Sequence, residues 1–365
     1  MPGEDPINVA EIARAVDDAH ADWTAAETAL TTLPADERRV RLGAVPPPGQ
    51  PSLAERERAA TSRSDASEAL ADLPAAVDLR NWNGGNYVTP IKDQKRCGSC
   101  VAFGSLAAIE STVRVVNRQP DRAIDLSEAH LFYCHAAAEG RRCNTGWWVD
   151  PSLTACRDKG VVDETAFPYV DGDQACRIDA NSTAARFKIL SYKTLAAPGE
   201  MKAWLATKGA LVACFTVYED FYSYRSGVYR HVTGAREGGH CVCIIGYDDA
   251  QRCWIAKNSW GDDWGEDGYF KILAGDCGID YEMWGVEISS GPDTGTWLKK
   301  RKVTGLWVDA DEGATAAFIA GVGWRHVSKG PSAADMLLLL SIARSSGAPV
   351  DLLIVDNTIR ELYVL

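Results

Sequence analysis

The placement of the cysteines is the feature that most constrains this chain. All eleven cysteines lie between Cys97 and Cys277, and the sequence on either side of that region has none. An odd number leaves at least one cysteine without an intramolecular partner, which suits a free nucleophile but does not prove one. The distribution predicts a chain of three parts, with the thiol chemistry confined to the middle part.

Length and charge set broad limits on function. With 365 residues and 46% hydrophobic composition, the chain is long enough for two or three compact units with their own cores. The net charge of −12 argues against nucleic acid as a partner, because no basic stripe is present to neutralise phosphates. The longest apolar run, residues 336–340, is far shorter than the roughly 18 residues that a membrane span needs.

Two signals about the cellular compartment oppose each other. The N-terminus has neither the basic start nor the apolar core of a signal peptide, which favours the cytoplasm or a non-classical export route. The many cysteines favour an oxidising compartment, because disulfides persist mainly there. The compartment therefore stays open.

The N-terminal part mixes helix and loop signals. Residues 8–30 predict an amphipathic helix, in which Asn8 and Glu11 have the spacing of a capping box. The Pro-Gly-rich residues 45–52 predict an extended segment. The charged, alanine-rich sequence that follows, up to Asp72, favours a solvated linker.

From Leu73 the sequence has the dense pattern of a globular unit. A helix is predicted from about Ser99 to Asn117, and another begins near Leu126, where Ser127 can cap it. Strand signals follow at residues 187–190, 211–215, 242–247, 254–258 and 268–272.

The C-terminal part begins after a linker-like sequence at residues 291–295. Residues 303–327 predict two or three strands, and residues 332–345 predict a helix. Residues 349–364 predict a strand pair that turns at residues 356–357. We expect a small β-rich unit here.

Cys100 is the best candidate for a nucleophile. It stands where a helix begins, and the partial positive charge of a helix N-terminus favours a thiolate over a thiol. Gln94, shortly before it, can offer a side-chain N–H to an oxyanion that forms near the same cysteine. Taken alone, Cys100 fits equally well as a disulfide cysteine beside a helix start.

His240 is the best-placed base for such a thiol. It lies at the mouth of an apolar strand behind Gly238 and Gly239, which leave room for a substrate backbone. A lone histidine in such a place is more often structural, but Asn258 follows at the end of the next strand. Its side-chain oxygen can hold one ring nitrogen while the other faces sulfur, and Trp260 can shield that hydrogen bond from water.

With these motifs in place, the chain resembles the papain family of cysteine peptidases over residues 73–290. The resemblance implies an α+β, two-lobed fold, with a helical lobe led by the Cys100 helix and a β-barrel-like lobe that carries His240 and Asn258. The matching sequence lies at residues 73–80, 88–94, 97–100, 125–128, 143–146 and 167–169, and around the histidine and the asparagine.

The resemblance implies a role for each matching residue. Cys100 corresponds to the nucleophile, His240 to its acid–base partner and Asn258 to the residue that orients the histidine. Gln94 and the backbone N–H of Cys100 correspond to the oxyanion hole. The residues implied to bind substrate are Gly146, Gly239, Trp260 and Glu282.

The second half of this region resembles cathepsin B in particular. Glu282 matches a glutamate that floors the pocket for the second residue before the scissile bond, which implies that arginine or apolar side chains are accepted there. The alternative is an ordinary surface glutamate. The histidine-bearing occluding loop is absent, since no histidine lies between Cys143 and Cys176, and this favours endopeptidase action.

For the other cysteines, the resemblance implies the disulfides Cys97–Cys143 and Cys134–Cys176. The cysteines without an assigned role are Cys156, Cys214, Cys241, Cys243, Cys253 and Cys277. Cys241 and Cys243 share a strand face, but buried thiols are favoured over a metal site because no second ligand pair has zinc-like spacing. We expect neither a metal nor an organic cofactor.

The flanking parts complete the prediction. Residues 1–72 are placed to be an N-terminal helical prosegment that blocks the cleft, although they lack the family's usual helix motif. Residues 294–365 form a small appended β-rich domain that can bind an unidentified partner. The whole chain is predicted to be a self-inhibited cysteine endopeptidase. The alternatives are a transpeptidase or amide ligase that uses the same acyl-enzyme, and a catalytically silent binding protein with the same fold.

Overall fold

The computed structural model of the chain describes residues 6–64, 73–178, 184–288, 296–308, 315–327, 333–355 and 358–365. It divides into two compact units, Met1–Ser289 and Ser290–Leu365. The helices are α1 (Val9–Asp18), α2 (Ala35–Arg39), α3 (Leu53–Ser64), α4 (Cys100–Val116), α5 (Val149–Asp158), α6 (Pro198–Thr207) and α7 (Ala333–Ser346).

The strands of the first unit are β1 (Trp23–Ala25), β2 (Ala76–Asp78), β3 (Val161–Val162), β4 (Arg186–Phe187), β5 (Ser191–Leu195), β6 (Leu211–Tyr218), β7 (Tyr224–Tyr229), β8 (Arg236–Asp248), β9 (Cys253–Lys257), β10 (Tyr269–Leu273) and β11 (Met283–Glu287). Those of the second unit are β12 (Thr296–Arg301), β13 (Val303–Val308), β14 (Thr315–Ile319), β15 (Gly323–Val327), β16 (Val350–Val355) and β17 (Thr358–Val364). None of the helices in the described parts of the chain has the length and apolar character required to cross a membrane.

A long central strand, β8, organises the first unit. The main sheet has the strand order β1-β7-β10-β9-β8-β6-β11-β5, and β2 also pairs with β8. In the antiparallel β8–β9 register, Cys243 is opposite Lys257. His240 lies three residues before Cys243, and Asn258 is the first residue after β9. The register therefore brings His240 toward Asn258, as the strand signals predicted.

Helix α4 packs directly on β8. Its residues from Cys100 to Val113 are all buried, so its sequence is apolar around most of its circumference. Gly104 permits the close approach, because a Cβ atom there would lie 2.9 Å from the Cys241 sulfur. The helix predicted from about Ser99 to Asn117 is confirmed, and its N-terminus points to the strand that carries His240.

Ser127 caps the next helical segment as predicted. Its hydroxyl accepts a hydrogen bond from the backbone N–H of His130 at 2.9 Å, and residues His130–Ala136 form a π-helical turn. The two implied disulfides, Cys97–Cys143 and Cys134–Cys176, are both present. The other seven cysteines are unpaired and buried.

The single helix expected over residues 8–30 is wrong beyond its first half. Asn8 caps α1 by accepting a hydrogen bond from the Glu11 N–H, but the helix ends at Asp18. The chain then forms β1, which pairs with β7, and the Trp23 indole donates a hydrogen bond to the Arg230 carbonyl at 3.0 Å. Pairing with the sheet buries Trp23, which a surface helix would not do.

Two other expectations are also corrected. The solvated linker expected up to Asp72 is instead helix α3 over residues 53–64, with Arg56 and Ala60 buried; residues 65–72 lie outside the described residues. The strand expected at residues 187–190 is limited to β4, because the chain beyond Phe187 leaves its partner β3.

The C-terminal unit is a six-stranded sheet with one helix. The strand order is β12-β16-β17-β15-β14-β13. Strands β12 and β13 are consecutive in the chain, separated only by Lys302, yet they form opposite ends of this order. Helix α7 covers a core that includes Leu340, Leu352 and Ile359. The strands and helix predicted here are present, and the predicted turn at residues 356–357 lies outside the described residues. Strand β12 was not predicted, because the basic run at residues 299–302 hides the strand pattern.

Candidate active site

The predicted histidine and asparagine contact each other. His240 Nε2 lies 2.8 Å from Asn258 Oδ1, and both side chains are buried. His240 Nδ1 is buried without a hydrogen-bond partner among the described residues. The arrangement fixes the imidazole through one nitrogen and leaves the other available for proton transfer.

Cys100 lies against the backbone of the same strand. The backbone N–H groups of Val101 and Cys241 lie near its sulfur and favour the thiolate, so the sulfur sits at the start of α4 beside the residue that follows His240. The Gly43 N–H donates a hydrogen bond to the sulfur at 3.3 Å. The nucleophile candidate is therefore covered by the N-terminal part of the chain.

The side chain of Gln94 has a fixed orientation. Its Oε1 accepts a hydrogen bond from the Ser259 hydroxyl at 2.7 Å. Its Nε2 donates to the Cys97 carbonyl at 2.8 Å and to the Arg41 carbonyl at 2.9 Å. The Arg41 carbonyl oxygen thus already accepts from the Gln94 side-chain N–H that was predicted to donate to the oxyanion.

Residues 41–45, here named the cover segment, cross the site and form a β-bridge between Ala44 and Trp147. The Ala44 N–H donates to the Gly239 carbonyl at 3.0 Å and the Val45 N–H to the Trp147 carbonyl at 3.0 Å. The Trp147 N–H donates in turn to the Gly43 carbonyl at 2.8 Å. These bonds hold the segment on both walls of the cleft.

Glycines make this close approach possible. A Cβ atom on Gly43 would lie 1.9 Å from the Gly98 carbonyl oxygen. On Gly146, whose φ is +59°, a Cβ would lie 2.2 Å from the Gly43 oxygen, and on Gly239 it would lie 2.2 Å from the Ala44 oxygen. Gly146 and Gly239, both predicted to bind substrate, thus leave room for a peptide backbone in the cleft.

Burial under the cover segment keeps both catalytic candidates neutral. It raises the pKa of the Cys100 thiol to about 12. It lowers the pKa of His240 to about 4, despite the hydrogen bond that His240 donates to Asn258, which acts in the opposite direction. Near pH 7 the site therefore holds a thiol and a neutral imidazole rather than an ion pair.

Trp260 lies over the histidine. The two ring centres are 4.7 Å apart, and the indole is buried and also stacks on Tyr222 at 5.4 Å. This position limits water access to the His240–Asn258 hydrogen bond.

Glu282 is partly buried rather than fully exposed, and it forms an ion pair with Arg56 of helix α3. The Arg56 guanidinium lies 4.7 Å from the centre of the Trp148 ring and 4.9 Å from that of Tyr281. Two aromatic rings and a carboxylate therefore surround a guanidinium, which is the combination expected of a pocket for arginine.

Sequence reasoning missed the arginines that bind the cleft. Arg39 pairs with Glu237, Arg38 lies over the Tyr222 ring, and Arg56 pairs with Glu282. The available signal was the cluster of arginines at positions 38, 39 and 41 just before Gly43.

Comparison with known proteins places this site in a family. Residues 73–286 match the family described as papain family cysteine protease. The chain belongs to this family. Among papain-family relatives, it is 37% identical over 249 residues to the cathepsin B-like CP3 of Giardia intestinalis, covering 64% of this chain and 80% of that protein. It is 32% identical over 233 residues to the pro-cathepsin H of Mus musculus, covering 62% and 68%.

Solved structures of papain-family precursors share the fold. The digestive procathepsin L2 proteinase from the Tenebrio molitor larval midgut superposes with a TM-score of 0.62 at 29% identity, covering 77% of this chain and 89% of that one. The proCathepsin B S9 from Trypanosoma congolense superposes with a TM-score of 0.63 at 22% identity, covering 77% and 98%. The chain is a papain-like cysteine protease with the α+β fold of these precursors, and it carries an additional C-terminal β-sheet unit.

Proposed function

We propose that the chain is the inactive precursor of a cysteine endopeptidase, with residues 1–72 as its propeptide, residues 73–290 as the peptidase and residues 294–365 as an appended domain of unassigned role. The observation that supports this most directly is the cover segment. Its Gly43 N–H bonds to the Cys100 sulfur and its Arg41 carbonyl bonds to Gln94. A peptide in that place excludes a substrate from both groups at once.

Catalysis begins when the cover segment leaves. Exposure to water removes the burial that holds Cys100 and His240 neutral, so the proton of the thiol moves to His240 Nδ1. The thiolate is stabilised at the N-terminus of α4. It attacks the scissile carbonyl carbon, and the oxygen gains negative charge where Gln94 Nε2 and the Cys100 N–H can donate to it.

His240 then acts as the acid. It gives its proton to the leaving amine, the C–N bond breaks, and an acyl-enzyme remains on Cys100. In the second half of the reaction, His240 takes a proton from water, which attacks the thioester and releases the acid. Asn258 holds the imidazole through Nε2 during both steps, and Trp260 keeps water from that bond.

Glu282 is proposed to select the second residue before the scissile bond. Arg56 of the propeptide supports this, because its guanidinium already lies between Glu282 and the rings of Trp148 and Tyr281. Arginine would pair with the carboxylate, and apolar side chains would pack on the rings. The lack of a histidine between Cys143 and Cys176 supports cleavage within chains rather than at a carboxyl terminus.

The decisive experiment removes residues 1–72 and adds an epoxysuccinyl thiol inhibitor. We expect labelling of Cys100, hydrolysis of internal peptide bonds, and loss of both in Cys100→Ala. The same peptides should be assayed with an added amine. If the amine product exceeded the hydrolysis product, the chain would be a transpeptidase; if Cys100 stayed unlabelled in the folded protein, it would be a silent binding protein.

A further inference from the structure

Two carboxylates flank the nucleophile, and each binds an arginine of the propeptide. Within the described residues of the propeptide, the cover segment is the part that crosses Cys100. Arg56 comes after the crossing and pairs with Glu282, whereas Arg39 comes before it and pairs with Glu237. The two carboxylates therefore lie on opposite sides of the reacting sulfur.

The order of contacts along β8 supports this placement. Arg39 binds Glu237, and Leu42 packs on the next residue, Gly238, where a Cβ atom would lie 3.1 Å from its side chain. Ala44 then bonds to Gly239, which precedes His240. Neighbouring side chains of a strand point to opposite faces, and β8 shows this alternation here. Arg236 pairs with Glu57 of α3, which follows the crossing, whereas Glu237 pairs with Arg39, which precedes it, so Glu237 lies on the Arg39 side.

Glu237 is built to hold a guanidinium. The Arg39 Nε lies 3.0 Å from Oε2 and the Arg39 Nη2 lies 3.0 Å from Oε1. This is a two-point contact, the strong and directional form of an arginine–carboxylate pair. The Glu237 side chain is only 2% exposed, while that of Arg39 is 41% exposed. In the precursor the guanidinium therefore replaces almost all the water around this carboxylate, and the carboxylate loses that contact when the propeptide departs.

Aromatic rings extend the same surface toward the catalytic histidine. The Arg38 guanidinium lies 5.6 Å from the centre of the Tyr222 ring, and Tyr222 stacks on Trp260. The Tyr222 hydroxyl is buried and has no hydrogen-bond partner among the described residues. A cationic side chain here would find a carboxylate, an aromatic face and an unused polar group.

We propose that Glu237, with Tyr222 and Trp260, forms a subsite for an arginine or lysine side chain on the leaving-group side of the scissile bond. The assignment of sides rests on the proposed function, in which Glu282 serves the acyl side. The opposite side must then bind residues that follow the cleaved bond. The propeptide arginines occupy both subsites in the precursor, so the mature cleft selects peptides with basic residues on either side of the cut.

The test uses the enzyme freed from residues 1–72 and a set of internally quenched peptides. All peptides share one acyl side, and each of the first three positions after the scissile bond carries either arginine or citrulline, its neutral isostere. At one position we expect kcat/KM to be about tenfold or more higher for arginine, because a charge-assisted two-point contact is lost with citrulline. Glu237→Gln should bring that ratio close to one.

Two control variants separate the possible outcomes. Asp262→Asn changes an exposed carboxylate of the same unit and should leave every ratio unchanged. Glu282→Gln should alter the preference on the acyl side but keep the arginine-to-citrulline ratio on the other side. Thermal unfolding of each variant shows whether it is folded.

Each result has a distinct meaning. If no peptide is cleaved, the proposed function fails. If peptides are cleaved but arginine and citrulline react equally at all three positions, the subsite is overturned and Glu237 serves only to anchor the propeptide. The same conclusion holds if Glu237→Gln slows both peptides by the same factor, because a structural role would not discriminate between them.

Discussion

The two cysteine-free flanks of this chain are used in opposite ways. The N-terminal flank packs into the peptidase: Ile12, Val16 and Trp23 belong to the same buried cluster as Cys100, and β1 extends the central sheet. The C-terminal unit has its own cluster under α7 and leaves Trp324 49% exposed and Leu338 60% exposed. The lack of cysteine therefore does not distinguish the two flanks, whereas the cluster in which their apolar side chains are buried does.

The largest expected effect compares one tryptophan from each flank. Trp23 is 4% exposed and packs against Tyr229, with ring centres 5.2 Å apart. Trp23→Ala should cost about 3–5 kcal/mol, because it leaves a large cavity and an unpaired Arg230 carbonyl. Trp324→Ala should cost about 1 kcal/mol or less, since half of that side chain is in water and its main partner is Phe318.

Both substitutions are best made in a Cys100→Ala background, which prevents self-cleavage, and compared by thermal or denaturant unfolding. Equal costs would contradict the comparison. They would mean either that β1 adds little to the sheet or that the exposed aromatic face of the C-terminal unit is buried against something else.

The next effect is the pH dependence of propeptide binding. In the closed state the pKa of His240 is about 4, compared with an ordinary value of 6.5. Between these pH values the open state binds a proton that the closed state does not. The free energy that favours the closed state therefore decreases by up to about 3 kcal/mol as pH falls from about 6.5 to 4. The measurement needs a Cys100→Ala background, because in the native chain the thiol gives a proton to His240 on opening and would mask part of this effect.

Hydrogen exchange at the Ala44 and Val45 amides, corrected for intrinsic rates, would measure closure in the Cys100→Ala background. Adding His240→Gln isolates the histidine from the carboxylates of the interface, such as Glu57 and Glu282. The double variant should lose the histidine's share of the acid effect and keep the rest. An unchanged pH profile would show that carboxylates alone carry it.

The sequence predicted the catalytic constellation because its signals are local. Cys100 stands at a helix start, and Asn258 directly follows β9. His240 was expected just before a strand that begins at residue 242, but β8 begins at Arg236 and His240 lies within it; the strand patterns still place the two residues side by side. The contacts that close the site are not local. Arg56 lies 226 positions from Glu282 and Arg39 lies 198 positions from Glu237. A charged helix and a charged linker have the same composition, and only the distant carboxylate distinguishes them.

The same reason explains the error at Trp23. Its spacing from Val9, Ile12 and Val16 fits one face of a helix, which is why a single helix was expected. The edge of β7 offers unpaired backbone groups and a buried place for the indole, and this tertiary partner outweighs helix propensity. The roles of Arg39 and Arg56 were missed because their carboxylate partners are far away in the sequence. Trp23 was misassigned because its local spacing predicts a helix, and pairing with β7 outweighs that pattern.

The smallest effect tests the N-terminal flank at a single atom. Gly43→Ala adds a methyl group that would lie only 1.9 Å from the Gly98 carbonyl oxygen. The cover segment must therefore move away from the site. That retreat weakens two hydrogen bonds, from Gly43 to the Cys100 sulfur and from Trp147 to Gly43, each worth about 1 kcal/mol. We expect the open fraction to rise about 30-fold, measured as faster labelling of Cys100 by an epoxysuccinyl inhibitor in the full-length chain.

Gln50→Ala is the matched control for Gly43→Ala, because Gln50 follows the cover segment but lies in an exposed turn, in which its N–H donates to the Pro47 carbonyl; the labelling rate of Cys100 should not change. If Gly43→Ala also labelled at the normal rate, the helices on either side of the crossing, through Arg39 and Arg56, would be sufficient to keep the cleft closed. If it labelled faster while β1 stayed protected from hydrogen exchange, the flank would consist of two separable parts. Strand β1 would then stay paired with the peptidase sheet in the full-length chain while the cover segment opens.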